Sequence, residues 1–480
     1  MRSNPGFSLR LRGLACGAFW FLIATLARAE SPLAGHWEGQ IEIPASPLVF
    51  KVDFVETAGV VTGTLDIPIQ GLKAHPLGEI SLDPTKVRFK LMGIPGDPTF
   101  EGRLGEDGQL RGYLQQGGMA FPFRLGREAV AGPARPQEPK PPFPYMERDW
   151  RVTSGEATLA GTLTLPPGDG PFPAVVLISG SGAQDRDETL MGHRPFAVWA
   201  DHLTRAGIAV LRLDDRGVGG STGGPVDAHT TETFAGDALA AVSSLHAEPK
   251  IDAKRIGLVG HSEGGVVAPL AASRSQDVAF VVLLAGTGVT GEEIVGLQIA
   301  KLATAAGVPA ATAELQAAGF RRVLAKVVAG APEVEIRAGL RAAFEQQWAP
   351  AKLSEERMEE SIRAALGVYR TPWFRFFLAH DPRPALRQLK VPVLALNGEL
   401  DAQVDADQNL PEIEKALREA ANPDVTLRRL PGLNHLFQTA KTGALTEYAQ
   451  IEETVAPEVL ELVTEWIRVR FGERPAKGTS

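Results

Sequence analysis

The chain contains a single cysteine, Cys16, among 480 residues. A disulfide framework is excluded, and so is a thiolate zinc site, so the fold must be held by its core alone. Lys and Arg are not gathered into any long run, and the formal net charge is −8. Nucleic acid is a poor partner for such a chain, because phosphate binding needs clustered cations. No His/Cys/Asp cluster has metal-ligand spacing, and His193, His202, His229 and His246 each stand isolated. No metal or organic cofactor is expected. The apolar stretch Leu14 to Leu26 is shorter than the roughly 20 residues that cross a bilayer comfortably.

What is present begins with that stretch. Arg2, Arg10 and Arg12 precede it and Ala27-Arg28-Ala29 follows, so residues 1–29 read as a signal peptide, with a retained anchor as the alternative. A secreted or periplasmic protein is expected, with no membrane span after signal removal. Cys16 precedes most of the apolar stretch, which is the wrong place for lipoprotein acylation. Removing Met1–Ala29 takes away four Arg and no acid, leaving 45 Lys+Arg against 57 Asp+Glu, a net of −12.

Residues 30–128 show β-branched and apolar runs at Gly35–Ile43, Leu48–Phe54, Val60–Ile67, Lys86–Leu91, Thr99–Leu104, Gln109–Gln115 and Ala120–Leu125, punctuated by turn pairs such as Asp97-Pro98 and Asp107-Gly108. They predict a small all-β barrel or sandwich of seven or eight strands. Such a unit reads equally as a carbohydrate- or lipid-binding module and as a structural or dimerising domain, which leaves a homodimer open. Residues 129–146 carry six prolines, a density that blocks helix and central strand and predicts a stiff linker.

From 147 to 480 strand and helix signals alternate. An opening hairpin at Trp150–Ser154 and Ala157–Leu165 precedes buried-strand runs at Ala174–Ile178, Ile208–Leu213, Ile256–Val259, Ala279–Leu284, Val391–Leu396 and Val425–Leu430. Helical patterns lie between them at Arg194–Arg205, Thr231–His246, Glu263–Ser273, Gln408–Ala420 and Glu458–Phe471. All-apolar strands alternating with helices predict an α/β fold, a mostly parallel sheet covered on both faces. About 291–382 has helical pattern only, far longer than the usual connection of about 2–6 residues, and predicts a helical cap.

In Gly260-His261-Ser262-Glu263-Gly264-Gly265 a short apolar strand runs through a serine straight into a helix. A serine on that corner is exposed above the sheet, and the glycines avoid collisions with neighbouring backbone, so Ser262 is the candidate nucleophile. A serine hydroxyl needs a base, and the base an orienting acid. Of nine histidines only His435 follows the last predicted strand, in the loop Pro431–Phe437. Glu399, Asp401 and Asp405 all follow the strand Val391–Leu396, and Asp401 sits in the spacing Gly398-x-x-Asp401-x-x-Val404. The earlier acid position, Ala285-Gly286-Thr287-Gly288, holds no carboxylate. The tetrahedral oxyanion needs two fixed donors. The backbone N–H of Glu263 is one, and Ser181 in Ser179-Gly180-Ser181-Gly182 is the other, with Gly182 as the fallback. Gln184–Asp187 reads either as pocket lining or as a loop pinned by ion pairs. Asp214-Asp215-Arg216-Gly217-Val218-Gly219-Gly220-Ser221 lacks the ending of a nucleotide P-loop and reads as a structural segment beside the oxyanion loop.

Together Ser179–Gly182, Gln184–Asp187, Asp214–Gly219 and Gly260–Gly265 resemble the α/β-hydrolase superfamily, nearest to serine esterases of the dienelactone hydrolase and prolyl oligopeptidase-like branch. The resemblance covers about Arg148 to Phe471; Ser179 stands where many members carry His, and Ser181 replaces a bulkier residue. It implies hydrolysis of small or medium acyl esters through an acyl-enzyme, without a cofactor. The alternatives are a prolyl-oligopeptidase-like serine peptidase, for which residues 30–128 are too few to make a propeller, and a polymer-binding protein with an inactive hydrolase domain. A coenzyme A thioesterase fits poorly with export.

Overall fold

The computed structural model describes residues 31–43, 47–67, 72–94, 98–116, 119–128, 133–348 and 354–472. Residues 1–29, read above as a signal peptide, lie outside the described residues, as do 129–132 at the start of the linker.

Eight antiparallel strands, β1 (Gly35–Ile41), β2 (Leu48–Thr57), β3 (Val60–Ile67), β4 (Leu72–Asp83), β5 (Lys86–Leu91), β6 (Thr99–Leu104), β7 (Leu110–Gln116) and β8 (Met119–Gly126), close into a barrel when β1 pairs with β8. Alternate residues point inward, so Phe50, Val52 and Phe54 of β2 are buried while Asp53 and Val55 face out. The interior is filled by aromatic rings. Phe100 stacks on Phe50 and on Phe89 at 5.2 and 4.7 Å and meets Phe123 edge-on at 5.2 Å. The strand missing from the sequence reading is β4. Pro76 interrupts it, Ala74 and Glu79 adopt φ of 49°, and its register shifts against β3 and β5, so the two-residue alternation that marks a strand is broken.

The second unit is an eight-stranded sheet of β9 (Met146–Ser154), β10 (Ala157–Leu165), β11 (Phe172–Ile178), β12 (Ala209–Leu213), β13 (Ile251–His261), β14 (Phe280–Leu284), β15 (Val393–Gly398) and β16 (Val425–Leu430), in the order β16-β15-β14-β13-β11-β12-β10-β9. All pairings from β12 to β16 are parallel, and the β9–β10 hairpin adds antiparallel on β12. The central strands β11 and β14 are apolar and buried because both faces are covered. Val175, Leu177, Val259 and Leu284 pack under helices α1 (Pro195–Arg205) and α12 (Pro457–Phe471). Ala174, Val176, Leu258 and Leu283 pack on the other face, with side chains of α2 (Thr231–His246), α3 (Gly264–Ala272) and α10 (Ala406–Glu419).

Between β14 and β15 run α4 (Gly291–Ala305), α5 (Ala310–Val328), α6 (Glu333–Gln347), α7 (Glu355–Tyr369), α8 (Pro372–Ala379) and the short α9 (Arg383–Leu386). Helices α5 to α8 supply a separate small core that includes Leu324, Leu340, Ile362 and Leu378. Thr290 and Glu293 form a reciprocal capping box that starts α4, and the Thr371 hydroxyl accepts from the Phe374 N–H to start α8. One turn, α11 (Leu445–Tyr448), lies between β16 and α12.

The proline-rich connection does more than span a gap. Arg135 donates to the carbonyls of Gly192, Ala449 and Ile451, and Gln137 exchanges hydrogen bonds with Thr454 and Val455. The linker is therefore docked on the second unit. Among the described residues no helix is long and apolar enough to cross a membrane. Because Phe100 is the hub of the barrel's ring cluster, Phe100→Ala is expected to cost about 3–5 kcal/mol in chemical denaturation of that unit. The exposed Tyr113→Ala change should cost under about 0.5 kcal/mol.

Candidate active site

Strands β13, β15 and β16 each end at the same edge of the sheet, and the candidate residues follow those ends. Ser262 comes immediately after β13 and has φ of 54°, a left-handed conformation that a side-chain-bearing residue adopts only when its surroundings enforce it. Its N–H donates to the Leu284 carbonyl at the end of β14. The glycines around it are needed for approach. A Cβ on Gly260 would lie 2.0 Å from the Gly264 carbonyl oxygen, and one on Gly264 would lie 2.2 Å from that of Ile178. Gly265 meets Gly286 in the same way, with 2.5 Å to its Cα. The helix α3 can thus start directly off the strand, with Glu263 as its N-cap residue.

His435 and Asp401 are in contact. The His435 Nδ1 lies 2.8 Å from Asp401 Oδ2, and both side chains are buried. Asp401 Oδ1 accepts the N–H groups of Gln403 and Val404, each at 2.8 Å, and Asn397 Nδ2 lies 3.3 Å from Oδ2. Four donors hold this carboxylate, which leaves its position little freedom. The other two acids are engaged elsewhere: Glu399 accepts the Gly432 N–H, and Asp405 caps α10 and pairs with Lys301. His435 is brought to the serine's side of the sheet edge, its ring 4.8 Å from that of His261, the residue before Ser262.

The loop after β11 passes over Ser262. A Cβ on Gly180 would lie 3.2 Å from the Ser262 Cβ. Ser181 is exposed, its carbonyl accepting the Gln184 side-chain amide, and Gly182 has φ of 99°. The segment after β12 props this loop. Asp215 accepts from the Ser179 hydroxyl and the Gln184 N–H, both at 2.9 Å, while Asp214 takes the Arg186 guanidinium in a two-pronged ion pair together with the Arg186 and Gly220 N–H groups. Arg186 therefore pins the loop, and Asp187 pairs with Arg194 and Arg212 away from the pocket. Burial pushes the Asp215 carboxyl up to about 7, with the nearby charges of Glu188 and Glu263 acting in the same direction. A narrow pocket of about 60 Å³ opens beside this loop, lined by Gly180, Gly182, Phe234, Glu263 and Val267 among others.

Several residues of this edge carried no signal in the sequence. Glu188 is buried with φ of 51° and bridges Gly180 N–H and His261. The Glu263 side chain is also buried, which raises its pKa; the Thr231 hydroxyl and the Trp373 indole N–H bind it at 2.7 and 2.9 Å and oppose that rise. Trp373 belongs to α8, and Gln408 at the start of α10 reaches the Glu293 carbonyl of α4, so the helical insertion touches the sheet edge at two places. Trp373→Phe would leave the buried Glu263 with Thr231 as its remaining side-chain donor. The expected loss is about 1–3 kcal/mol by chemical denaturation, and combining Trp373→Phe with Glu263→Gln should cost less than the sum of the two single changes.

Residues 194–439 match the family described as serine aminopeptidase, S33. A stretch of 135 residues is 37% identical to the esterase EstD of Thermotoga maritima, covering 28% of this chain and 31% of that one, so the match spans about a third of the relative's length. Among solved structures, an esterase of Pyrococcus furiosus gives a TM-score of 0.42 at 16% identity, over 72% of this chain and 100% of that chain. A dienelactone hydrolase of Anabaena variabilis gives 0.36 at 18% identity, over 68% and 99%. With just over half of its length in the family match, including the strand-to-helix turn and the His435–Asp401 pair, this chain belongs to the serine aminopeptidase S33 family of α/β-hydrolases.

Proposed function

We propose that the protein is a serine carboxylic ester hydrolase acting on small or medium acyl esters. The observation that carries this reading is the buried His435–Asp401 hydrogen bond beside a serine held in a left-handed turn at the same sheet edge. In this mechanism Ser262 Oγ attacks the ester carbonyl while His435 Nε2 takes its proton, and Asp401 fixes the imidazole tautomer through Nδ1 and stabilises the imidazolium. The backbone N–H groups of Ser181 and Glu263 hold the tetrahedral oxyanion. His435 then protonates the departing alkoxide, leaving an acyl group on Ser262. Water, activated by the same imidazole, attacks the acyl carbon and releases the acid with Ser262 restored.

The helical insertion is proposed as a cap, supported by the Trp373–Glu263 contact directly behind the nucleophile. Secretion or periplasmic export rests on the N-terminal sequence. A peptidase reading is kept because the matched family is described by an aminopeptidase activity.

A fluorophosphonate probe and p-nitrophenyl acetate and butyrate test the proposal. Wild type should be labelled and should turn over both esters, and Ser262→Ala should lose labelling and about 10⁴-fold or more of kcat. Equal turnover by Ser262→Ala would sink the assignment. Faster cleavage of aminoacyl amides than of esters would move it to the peptidase.

A further inference from the structure

The catalytic account above leaves one buried, charged pair at the site unused. Glu188 Oε1 lies 2.8 Å from His261 Nδ1 and 2.7 Å from the Gly180 nitrogen. His261 Nε2 lies 3.1 Å from the carbonyl oxygen of His435. One carboxylate and one imidazole thus connect the loop over Ser262, the strand residue before it, and the loop that carries the base.

The chemistry of the two contacts decides the protonation of His261. A neutral imidazole has one N–H and one lone pair, so it donates from one nitrogen and accepts at the other. Both nitrogens of His261 face acceptors, a carboxylate and a carbonyl. With Glu188 as the carboxylate, only the imidazolium, with two N–H groups, satisfies both. The surroundings allow a cation: Glu188 and Asp401 face the ring, and Asp215, whose carboxyl is pushed up to about 7, lies near Glu188. The remaining titratable neighbour is the His435 ring itself, 4.8 Å away. Burial lowers the His261 pKa, but the Glu188 charge and hydrogen bond outweigh it, so the net shift is upward.

We infer that Glu188 and a protonated His261 are positioning residues that tie the oxyanion loop to the catalytic histidine, holding Gly180 and His435 at fixed places on either side of Ser262. Neither touches substrate. Their effect is on the spacing between the oxyanion donors, the nucleophile and the base, where a displacement of about 1 Å costs on the order of a hundredfold in rate. A group whose pKa is raised by its partner holds its interactions below the folded pKa and loses them as pH rises through it. The link is therefore complete on the acid side of the ordinary histidine pKa and breaks as pH rises through the raised His261 value.

This inference rests on the esterase reading, and the experiment separates the two. Wild type, Glu188→Gln, Glu188→Asp and His261→Gln are titrated with the fluorophosphonate probe, and kcat and KM for p-nitrophenyl acetate are followed from mildly acidic to alkaline pH. In wild type kcat should fall on the alkaline side. In Glu188→Gln that fall should move to lower pH, with kcat down on the order of tenfold to a hundredfold and KM changed less than about twofold. Glu188→Asp should recover part of both. Nitrogen-15 spectra of the histidine rings of wild type at neutral pH, with His261→Gln for assignment, should show His261 carrying two protons.

A wild-type kcat that stays level through alkaline pH, a Glu188→Gln profile identical to wild type, or a neutral His261 ring would each overturn the inference while labelling of Ser262 stands. Absence of labelling in wild type would instead overturn the esterase reading. If Glu188→Gln does not fold, the wild-type profile and the ring spectrum still decide.

Discussion

The site depends on how closely backbone can approach backbone at the end of β13. A strand must turn through one residue into a helix that lies against two neighbouring strand ends. Gly260, Gly264 and Gly265 each face main-chain atoms nearer than any Cβ can sit. Ser262 is forced into the left-handed region by that packing, and the strain, of order 1–3 kcal/mol, is held by the surrounding sheet. Everything else at this edge is arranged around that one corner. Asp401 is fixed by four donors, His435 by Asp401, and the loop after β11 by the acidic segment after β12.

Much of this was legible in the residues because the signals are local. The strand-to-helix glycines announce a tight corner wherever they occur, and the all-apolar runs at Val175–Leu177 and Val281–Leu284 announce strands covered on both faces. Asp401 was separable from Glu399 and Asp405 by spacing alone, and the structure gives the other two carboxylates different partners. The acidic segment at Asp214–Gly219 was read as structural and beside the loop after β11, and it contacts Ser179, Gln184 and Arg186 there.

The parts that were not legible are those made by distant or irregular chain. Glu188 meets His261 from 73 residues away, and His261 meets His435 from 174. Neither Glu188 nor Trp373 lies in a pattern that marks it, since their partners are set by tertiary packing. Strand β4 was missed for the opposite reason: its own backbone is irregular, so the alternation that would betray it is absent. The linker's composition says nothing of the carbonyls that Arg135 finds at Gly192, Ala449 and Ile451.

The closure of the N-terminal barrel has a further consequence. An open antiparallel sheet ends in strands whose outer amides and carbonyls are free to recruit a strand from another molecule. Here β1 and β8 satisfy each other, and stacked phenyl rings fill the space they enclose. A small β unit without a disulfide therefore avoids becoming a template for fibre growth by returning its last strand to its first. With its lumen occupied, whatever it recognises must meet it from outside.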